Sequence, residues 1–321
     1  MKIHVVLNAD GGTLRTMDLD ALKQTIESEF RLHGHEIDTE LPHGSELGEA
    51  IEKAAKRDDI DVLVVGGGDG TVSSAAGKLM GRHVALGVLP AGTMNLFART
   101  LQIPLQLPQA IAALAEGEIA EVDIATVNGR PFVHQFAVGM HARMVRIRER
   151  LNYGSKVGKV LASWRAIFGA VRRLPIVELE VELKGETKRL KTPALAISNN
   201  LYGEGHLPYA DDPQGGELGI YICQTTDRLA VAKLTLAILF GTWRNSPSLG
   251  VYTADRVVFD YRHRHRRDRA VRDGELEDVE VRSEVVLHKR ALKVLVPAGT
   301  KFQQTAAEVK VATLEGASAA P

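Results

Sequence analysis

Short apolar runs and amphipathic stretches take turns along the early part of the chain. Ile3 to Leu7, Asp61 to Val65 and Val84 to Pro90 are almost continuously apolar and rich in β-branched residues, as strands buried on both faces are. Glu36 to Leu41 reads as a further short strand. Between them, about Asp18 to His33 sets Leu19, Leu22, Ile26 and Phe30 at helical spacing. Glu46 to Arg57 and Val72 to about Met80 continue as helices. This alternation predicts a doubly wound parallel α/β sheet. Ligands of such sheets bind beyond the carboxyl ends of the strands, where Asn8, Thr39 and Asp69 fall.

Pro104 to Pro108 marks a break, Ala110 to Glu116 reads as a short helix, and the pattern changes at Glu121. Val122 to Arg130 alternates and turns at Asn128-Gly129. Phe132 to Val138, Val177 to Leu183 with a turn at Lys184-Gly185, Thr192 to Ser198, Leu218 to Gln224, Arg256 to Asp260, Val279 to Arg282 and Ala291 to Val296 follow in kind. Strand after strand with few helices implies an all-β second domain, a β-sandwich. The division expected is residues 1–122, residues 123–308 and a tail at 309–321 rich in Ala, Gly and Ser that frays.

The strand ending at Val65 runs straight into Gly66-Gly67-Gly68-Asp69-Gly70-Thr71-Val72-Ser73, and a helical pattern follows at once, with Thr71 placed to cap it. A glycine loop between a strand and a helix N-terminus is a phosphate site by construction. The backbone can approach the anion, the first N–H groups point at it, and the helix dipole favours negative charge. No Gly-Lys-Ser/Thr follows, and the Gly-x-Gly-x-x-Gly spacing is absent, so neither a Walker A nor a dinucleotide turn is implied. Asp69 is an acid inside a loop that welcomes anions. It makes sense beside phosphates if a magnesium ion or a substrate hydroxyl lies between. Asn8-Ala9-Asp10-Gly11-Gly12-Thr13 has the same loop composition. So has Ala91-Gly92-Thr93-Met94-Asn95, where Gly92 permits a tight turn and Asn95 can brace one loop against another. Arg99, a turn further on, reads as a phosphate ligand or, preferably, a structural ion pair.

Composition narrows the picture. The chain has 321 residues and a formal net charge of +0, which removes any bulk attraction to nucleic acid. Cys223 is its one cysteine, so no internal disulfide forms and a reducing cytoplasm fits. Met1 to Leu7 lacks the apolar core and cleavage site of a signal peptide. The longest apolar helix pattern, Leu229 to Phe240, is interrupted by Lys233 and is too short to span a bilayer, so membrane contact is expected to be peripheral. His141 to Arg173 carries nine Lys or Arg and one acid, Glu149, with Val157, Leu161, Trp164, Ile167 and Phe168 interleaved. It reads equally as a basic face for an anionic membrane or as a solvated helix over the sheet. Arg262 to Arg272 reads as a solvated hairpin tip, and His263 and His265 lack the further ligands a metal needs.

Gly67-Gly68-Asp69-Gly70-Thr71 resembles the nucleotide loop of the diacylglycerol kinase catalytic-domain superfamily, which includes diacylglycerol, sphingosine and ceramide kinases. NAD kinases and phosphofructokinases carry a related loop. Leu89 to Arg99 matches every fixed position of the family's second signature, Leu-Pro-x-Gly-Thr-x-Asn-x-Phe-Ala-Arg. Asn8 to Gly12 resembles its opening Asn-Pro-x-x-Gly, with Ala9 in place of the proline. Asp273-Gly274-Glu275 resembles its late Asp-Gly-Glu. The resemblance spans roughly residues 2 to 300. It implies an ATP-dependent lipid kinase with a sheet similar to that of NAD kinase and phosphofructokinase in its first domain. Glu275 would be the proton acceptor, and Asp273 and Asp69 its neighbouring acids. ATP would lie on Asn8, Thr39, Gly67, Gly68, Asp69, Gly70, Thr71, Val72, Ser73, Thr93 and Asn95, with Mg2+ at Asp69. The family's Asp-Gly-x-Leu structural magnesium motif is altered here to Asp211-Asp212-Pro213-Gln214-Gly215-Gly216-Glu217-Leu218, which leaves Asp211, Asp212, Gly215 and Glu217 as substitutes. The implied partners are ATP, a lipid alcohol and an anionic membrane surface, without nucleic acid, in a cytoplasmic, peripherally membrane-associated protein compatible with a homodimer. The alternatives are an NAD kinase-like small-molecule kinase and a non-catalytic nucleotide or lipid sensor on the same fold.

Overall fold

The computed structural model describes residues 1–149, 174–203, 209–262 and 268–302. The expected tail, most of the basic stretch after His141 and the centre of the basic run at 263–267 lie outside the described residues.

Strands β1 (Lys2–Leu7), β2 (Glu36–Glu40), β3 (Val62–Gly67) and β4 (Ala85–Pro90) pair in parallel in the order β2-β1-β3-β4. β3 and β4 are buried at every position because helices cover both faces. α1 (Leu19–Leu32) packs with α5 (Leu107–Ala115), and α2 (Leu47–Ala55) with α3 (Asp69–Leu79). A short α4 (Leu96–Thr100) follows β4. Asp18 caps α1 by accepting the Ala21 N–H at 3.0 Å, and Leu22, Ile26 and Phe30 are buried as their spacing requires. α3 starts earlier than its apolar pattern. Gly68 is the N-cap, so Thr71 lies inside the first turn and does not cap it. Asp69, Gly70 and Thr71 carry no apolar periodicity, which is why the pattern begins only at Val72.

The second part holds β5 (Glu118–Val127), β6 (Arg130–Phe132), β7 (Gln135–Gly139), α6 (Met140–Glu149), β8 (Val177–Leu183), β9 (Glu186–Thr192), β10 (Ala194–Ser198) and β11 (Leu218–Cys223). α7 (Arg228–Leu239), β12 (Leu249–Ala254), β13 (Arg256–Tyr261), β14 (Arg269–Arg272), β15 (Glu275–Asp278) and β16 (Arg282–Val296) complete it. One sheet runs β12-β11-β10-β7-β14-β15. Its Phe136, Leu195, Ile197 and Ile220 share a core with Val181, Val257 and Phe259 of the antiparallel β16-β13-β8-β9 run, which makes the sandwich.

β16 joins the two parts. It is antiparallel to β13 and β5, yet meets β4 in parallel at Val294 opposite Leu86. Leu292, Val294, Leu295 and Val296 bury in the core of the parallel layer, so one ten-stranded sheet runs through both parts. Val279 to Val281, read as strand, is instead the link from β15 to β16. β16 is also far longer than the Ala291–Val296 pattern, because a register shift between His288 and Leu292 interrupts its alternation. Among the described residues no helix is long and apolar enough to cross a membrane.

Candidate active site

The three glycine loops lock onto one another through the backbone. Gly12 sits at φ +49, and a Cβ there would overlap the Ala91 carbonyl oxygen. Thr13 donates to that same carbonyl from its N–H at 3.0 Å and its Oγ1 at 3.3 Å. A Cβ on Gly92 would stand 2.7 Å from the Cα of Gly68. Asp69 joins its loop to the next. Its Oδ1 accepts the Leu96 N–H at 2.7 Å and its Oδ2 the Asn95 N–H at 3.1 Å, so the carboxylate caps α4. The Asn95 side chain closes its own loop instead, accepting from Gly92 N–H at 2.8 Å and donating to Gly92 O at 3.0 Å. Arg99 donates to the Met94 carbonyl at 3.0 Å and braces this loop from behind, which is neither of the roles its sequence suggests.

The Asp-Gly-Glu segment is the turn between β14 and β15, with Asp273 at φ 47 and Gly274 at φ 89. This is the left-handed pair a two-residue hairpin needs. Its two acids have opposite surroundings. Asp273 is buried and accepts four hydrogen bonds: Ser73 Oγ at 2.5 Å, Val133 N–H at 2.9 Å, His134 N–H at 2.9 Å and Gln135 N–H at 3.0 Å. Burial pushes its carboxyl up from the usual range, and those four donors pull the other way. With its oxygens so engaged, Asp273 ties α3 to the second sheet and has no room for the metal- or water-orienting role the resemblance implies. Glu275 is exposed, and its carboxylate has no hydrogen-bond partner among the described residues. Its Oε1 lies 3.0 Å from where a Cβ on Gly70 would be, directly over the first turn of α3. The N–H groups of that turn lack intrahelical partners, and Gly68 has no side chain to cap them.

Two cavities meet at this point. One, of 450 Å³, is lined by Asn8, Gly11, Gly12, Gly68, Gly70 and Thr71 together with Gly44, Leu47, Gly48 and Ile51 at the start of α2. The other, of 390 Å³, lies between α3 and the second sheet and includes Lys78, Arg130 and Arg272. Gly70, Ser74 and Glu275 line both.

Not every expected ligand comes to this place. Val72 packs into the core, and Ser73, which lines the second cavity, spends its hydroxyl on Asp273, so neither side chain lines the glycine-loop cavity. Thr93 is exposed on its loop. Thr39 is buried in β2, its Oγ1 without a hydrogen-bond partner. The expected structural metal ligands do not converge. Asp212 is buried next to Gly215 and accepts the Gln214 N–H at 2.9 Å, whereas Glu217 turns to the surface toward Lys184. Among the described residues no three His, Cys, Asp or Glu side chains could hold a metal. What closes this segment is Asp123, a buried acid the sequence reading passed over. It accepts from Asn200 Nδ2 at 2.9 Å, Gly216 N–H at 2.8 Å and Arg290 N–H at 2.9 Å. Its signal was present: an acid inside the apolar run Val122-Asp123-Ile124.

Sequence reasoning also missed a polar chain behind Asp69. Tyr202 donates its hydroxyl to Gln135 Oε1 at 2.5 Å, and Gln135 Nε2 stands 3.0 Å from His141 Nε2. With the amide oxygen taken, Gln135 donates and His141 accepts. The His134 ring lies 5.8 Å from that of Tyr202. Burial lowers both histidines to about 4, with the charge of Asp69 opposing this at His134, so both are neutral imidazoles at pH 7.

The parallel layer with these loops is also where a family model matches. Residues 2–127 match the diacylglycerol kinase catalytic domain. An uncharacterised Synechocystis protein is 30% identical over 61% of this chain and 46% of its own length. The diacylglycerol kinase of Staphylococcus saprophyticus is 35% identical over 29% of this chain and 32% of its own. The chain thus matches less than half the length of these curated relatives. A diacylglycerol kinase structure from Bacillus anthracis strain Sterne superposes with a TM-score of 0.68 at 16% identity, covering 94% of this chain and 98% of that one. At that identity the likeness carries the fold, and it extends the shared architecture from the catalytic domain through the sandwich.

Proposed function

We propose that this chain is an ATP-dependent lipid kinase that transfers the γ-phosphoryl group to the hydroxyl of a diacylglycerol-like lipid. The observation that carries the reading is the Glu275 carboxylate, without a hydrogen-bond partner among the described residues, above Gly70, at the uncapped first turn of α3 and on the wall of both cavities. The 450 Å³ cleft is of ordinary size for a small ligand, and its glycines and helix N-terminus suit phosphates.

Phosphoryl transfer asks a protein for alignment and charge neutralisation more than for covalent chemistry. The interlocked loops supply the alignment, since Gly12, Gly68 and Gly92 hold three strand ends in contact. The α3 N–H groups face the phosphates. Glu275 takes the proton of the attacking hydroxyl. Magnesium, held by substrate phosphates and one or two carboxylates, would neutralise the transferring oxygens. Asp69 and Glu275 are the acids that fit it. Asp69 already caps α4, so its remaining lone pairs are what it could offer. Asp273 does not fit, because protein donors occupy it.

The experiment is a labelled-ATP assay against a total lipid extract, with the product identified by mass. A phosphorylated lipid alcohol is the expected product. Phosphorylation of NAD with none of lipid would replace the reading by the NAD kinase one. ATP binding without turnover on any lipid would replace it by a sensor.

A further inference from the structure

α7 is apolar on two opposite faces. At about 100° per residue, Val231, Leu234 and Ile238 form one side and pack with Tyr221 of the second sheet and with Tyr202 and Trp243 beside it. Leu229, Leu236 and Phe240 fall together on the other side, within about 40° of one another. They are 65%, 40% and 72% exposed. The inner face already seats the helix, and among the described residues nothing buries the outer one. Large exposed apolar side chains gathered in one stripe mark a contact surface.

The charges around the stripe select what it contacts. Lys233 lies within the stripe and Arg228 begins the helix, both exposed. No carboxylate occurs from Arg228 to Ala254, in a chain with 40 Asp and Glu. The nearest acid, Asp227, is spent as the N-cap, accepting the Ala230 N–H at 2.9 Å. Arg228 stands in the first turn, where the helix dipole gives a cation no support, so the helix itself does not call for it. A second copy of this face is a poor occupant. It would oppose Lys233 with Lys233, and three side chains fall well short of the roughly 800 Å² per partner of a standard interface. Apolar side chains rimmed by cations and free of acids suit the headgroup boundary of an anionic bilayer.

We propose that the outer face of α7 docks this protein on an anionic bilayer, with Leu229, Leu236 and Phe240 entering the acyl boundary and Arg228 and Lys233 meeting headgroup phosphates. The proposal rests on the lipid kinase reading in that it supplies the surface where a lipid acceptor resides. Its path inward is short: Tyr202, packed beneath α7, donates to Gln135, whose N–H in turn reaches Asp273.

The test is co-sedimentation of the full chain with phosphatidylcholine vesicles with and without phosphatidylglycerol, in the absence of ATP. The parent should partition to the vesicles that contain phosphatidylglycerol. Leu236→Glu combined with Phe240→Glu should lower that partitioning about tenfold or more at any salt concentration. Lys233→Glu should lower it at low salt and much less at high salt, as screening requires. All positions are exposed, so thermal midpoints should not move; if the double variant melts early, Lys233→Glu and Arg228→Glu decide. Unchanged partitioning in these variants overturns the proposal. So does a parent dimer that the double variant dissolves without any change in vesicle binding, which would make a second copy the occupant. Phosphorylation of lipid dispersed in detergent micelles separates this proposal from the kinase reading. The variants should keep parental turnover there, and a parent inactive in micelles would sink the kinase reading while the partitioning still judges the face.

Discussion

The two walls of the site are built on different principles. On the glycine-loop wall, Thr13, Asp69, Gly92 and Asn95 are held by bonds, and Gly68 by contact with Gly92, among three neighbouring strand ends of one parallel sheet. On the Asp-Gly-Glu wall, one buried carboxylate gathers Ser73, Val133, His134 and Gln135 from far along the chain. Asp69 and Asp273 are thus counterparts, each a carboxylate spent on backbone N–H groups. Asp69 holds a short helix in place, and Asp273 holds the second sheet against the first. Glu275 is the acid that remains unengaged, and it projects from the wall that depends on long-range contacts. The glycine-loop wall is held by its own bonds, but Glu275 stands over it only if the sandwich is docked.

The largest expected effect breaks that docking. Asp273→Ala leaves a buried hydroxyl and three buried N–H groups without an acceptor, at about 1–3 kcal/mol each when uncompensated. A loss of about 3–5 kcal/mol in denaturant unfolding is expected after partial relaxation. Asp69→Ala should cost clearly less, since α4 is a single turn. Equal losses in the two variants would erase the contrast between the walls.

A pH titration probes the same seam. His134 and His141 have an ordinary value of 6.5 and a folded value of about 4. Between these values the unfolded chain binds more protons than the native one, so stability falls as pH drops from 6.5 toward 4. Each histidine should account for roughly 2 kcal/mol at pH 4.5. Asp273, raised by burial, acts in the opposite sense at the acid end, since its native form holds a proton the more tightly. Thermal midpoints from pH 7.5 to 4.5 should therefore fall, and His134→Asn with His141→Asn should flatten the slope. A slope unchanged in the double variant would remove these histidines from the seam.

A smaller effect sharpens the picture of the glycine-loop wall. A Cβ at Gly92 meets Gly68 Cα at 2.7 Å and Asn95 Oδ1 at 2.8 Å, whereas a Cβ at Gly68 meets only Gly92 Cα, at 3.6 Å. Gly92→Ala should cost about 1–2 kcal/mol of stability through overpacking and weaken ATP binding by spreading the loops. Gly68→Ala should leave stability unchanged, so any loss of ATP affinity there reports the phosphate alone. Calorimetric titration of both variants checks this, and a Gly92→Ala protein with parental stability and affinity would show that the loops need not touch.

The glycine-loop wall was legible in the sequence because its signals are local. Gly67-Gly68-Asp69-Gly70-Thr71 and Gly92-Thr93-Met94-Asn95 each carry their turn, their helix start and their bracing residue within a few positions. Even there, residue roles were harder to read than residue positions. Asp69 turned out to brace α4, Val72 faces the core because α3 begins at Asp69, and Ser73 turns to Asp273. The other wall was legible only as a motif. Nothing near Asp273 in sequence says that its partners lie at Ser73 and at Val133 to Gln135. The Tyr202-Gln135-His141 chain was invisible for the same reason, and Asp123 showed only as an acid inside an apolar run, its partners hidden: a buried polar group is defined by what surrounds it, and strand order decides that. β16 shows the limit for the fold. Its register shift hides a single strand that crosses from one core to the other.

The central claim is that Glu275 takes the acceptor's proton at a nucleotide site it does not itself build. Glu275→Gln keeps the shape and removes the basicity of an exposed side chain that no neighbour depends on. The direct measurement is single-turnover lipid phosphorylation by this variant, with ATP affinity taken on the same preparation. The account predicts a rate reduced about 10²–10⁴-fold with ATP affinity close to parental. A rate within about tenfold of the parent, with chemistry limiting, would contradict it and return the proton to Asp69 or to solvent.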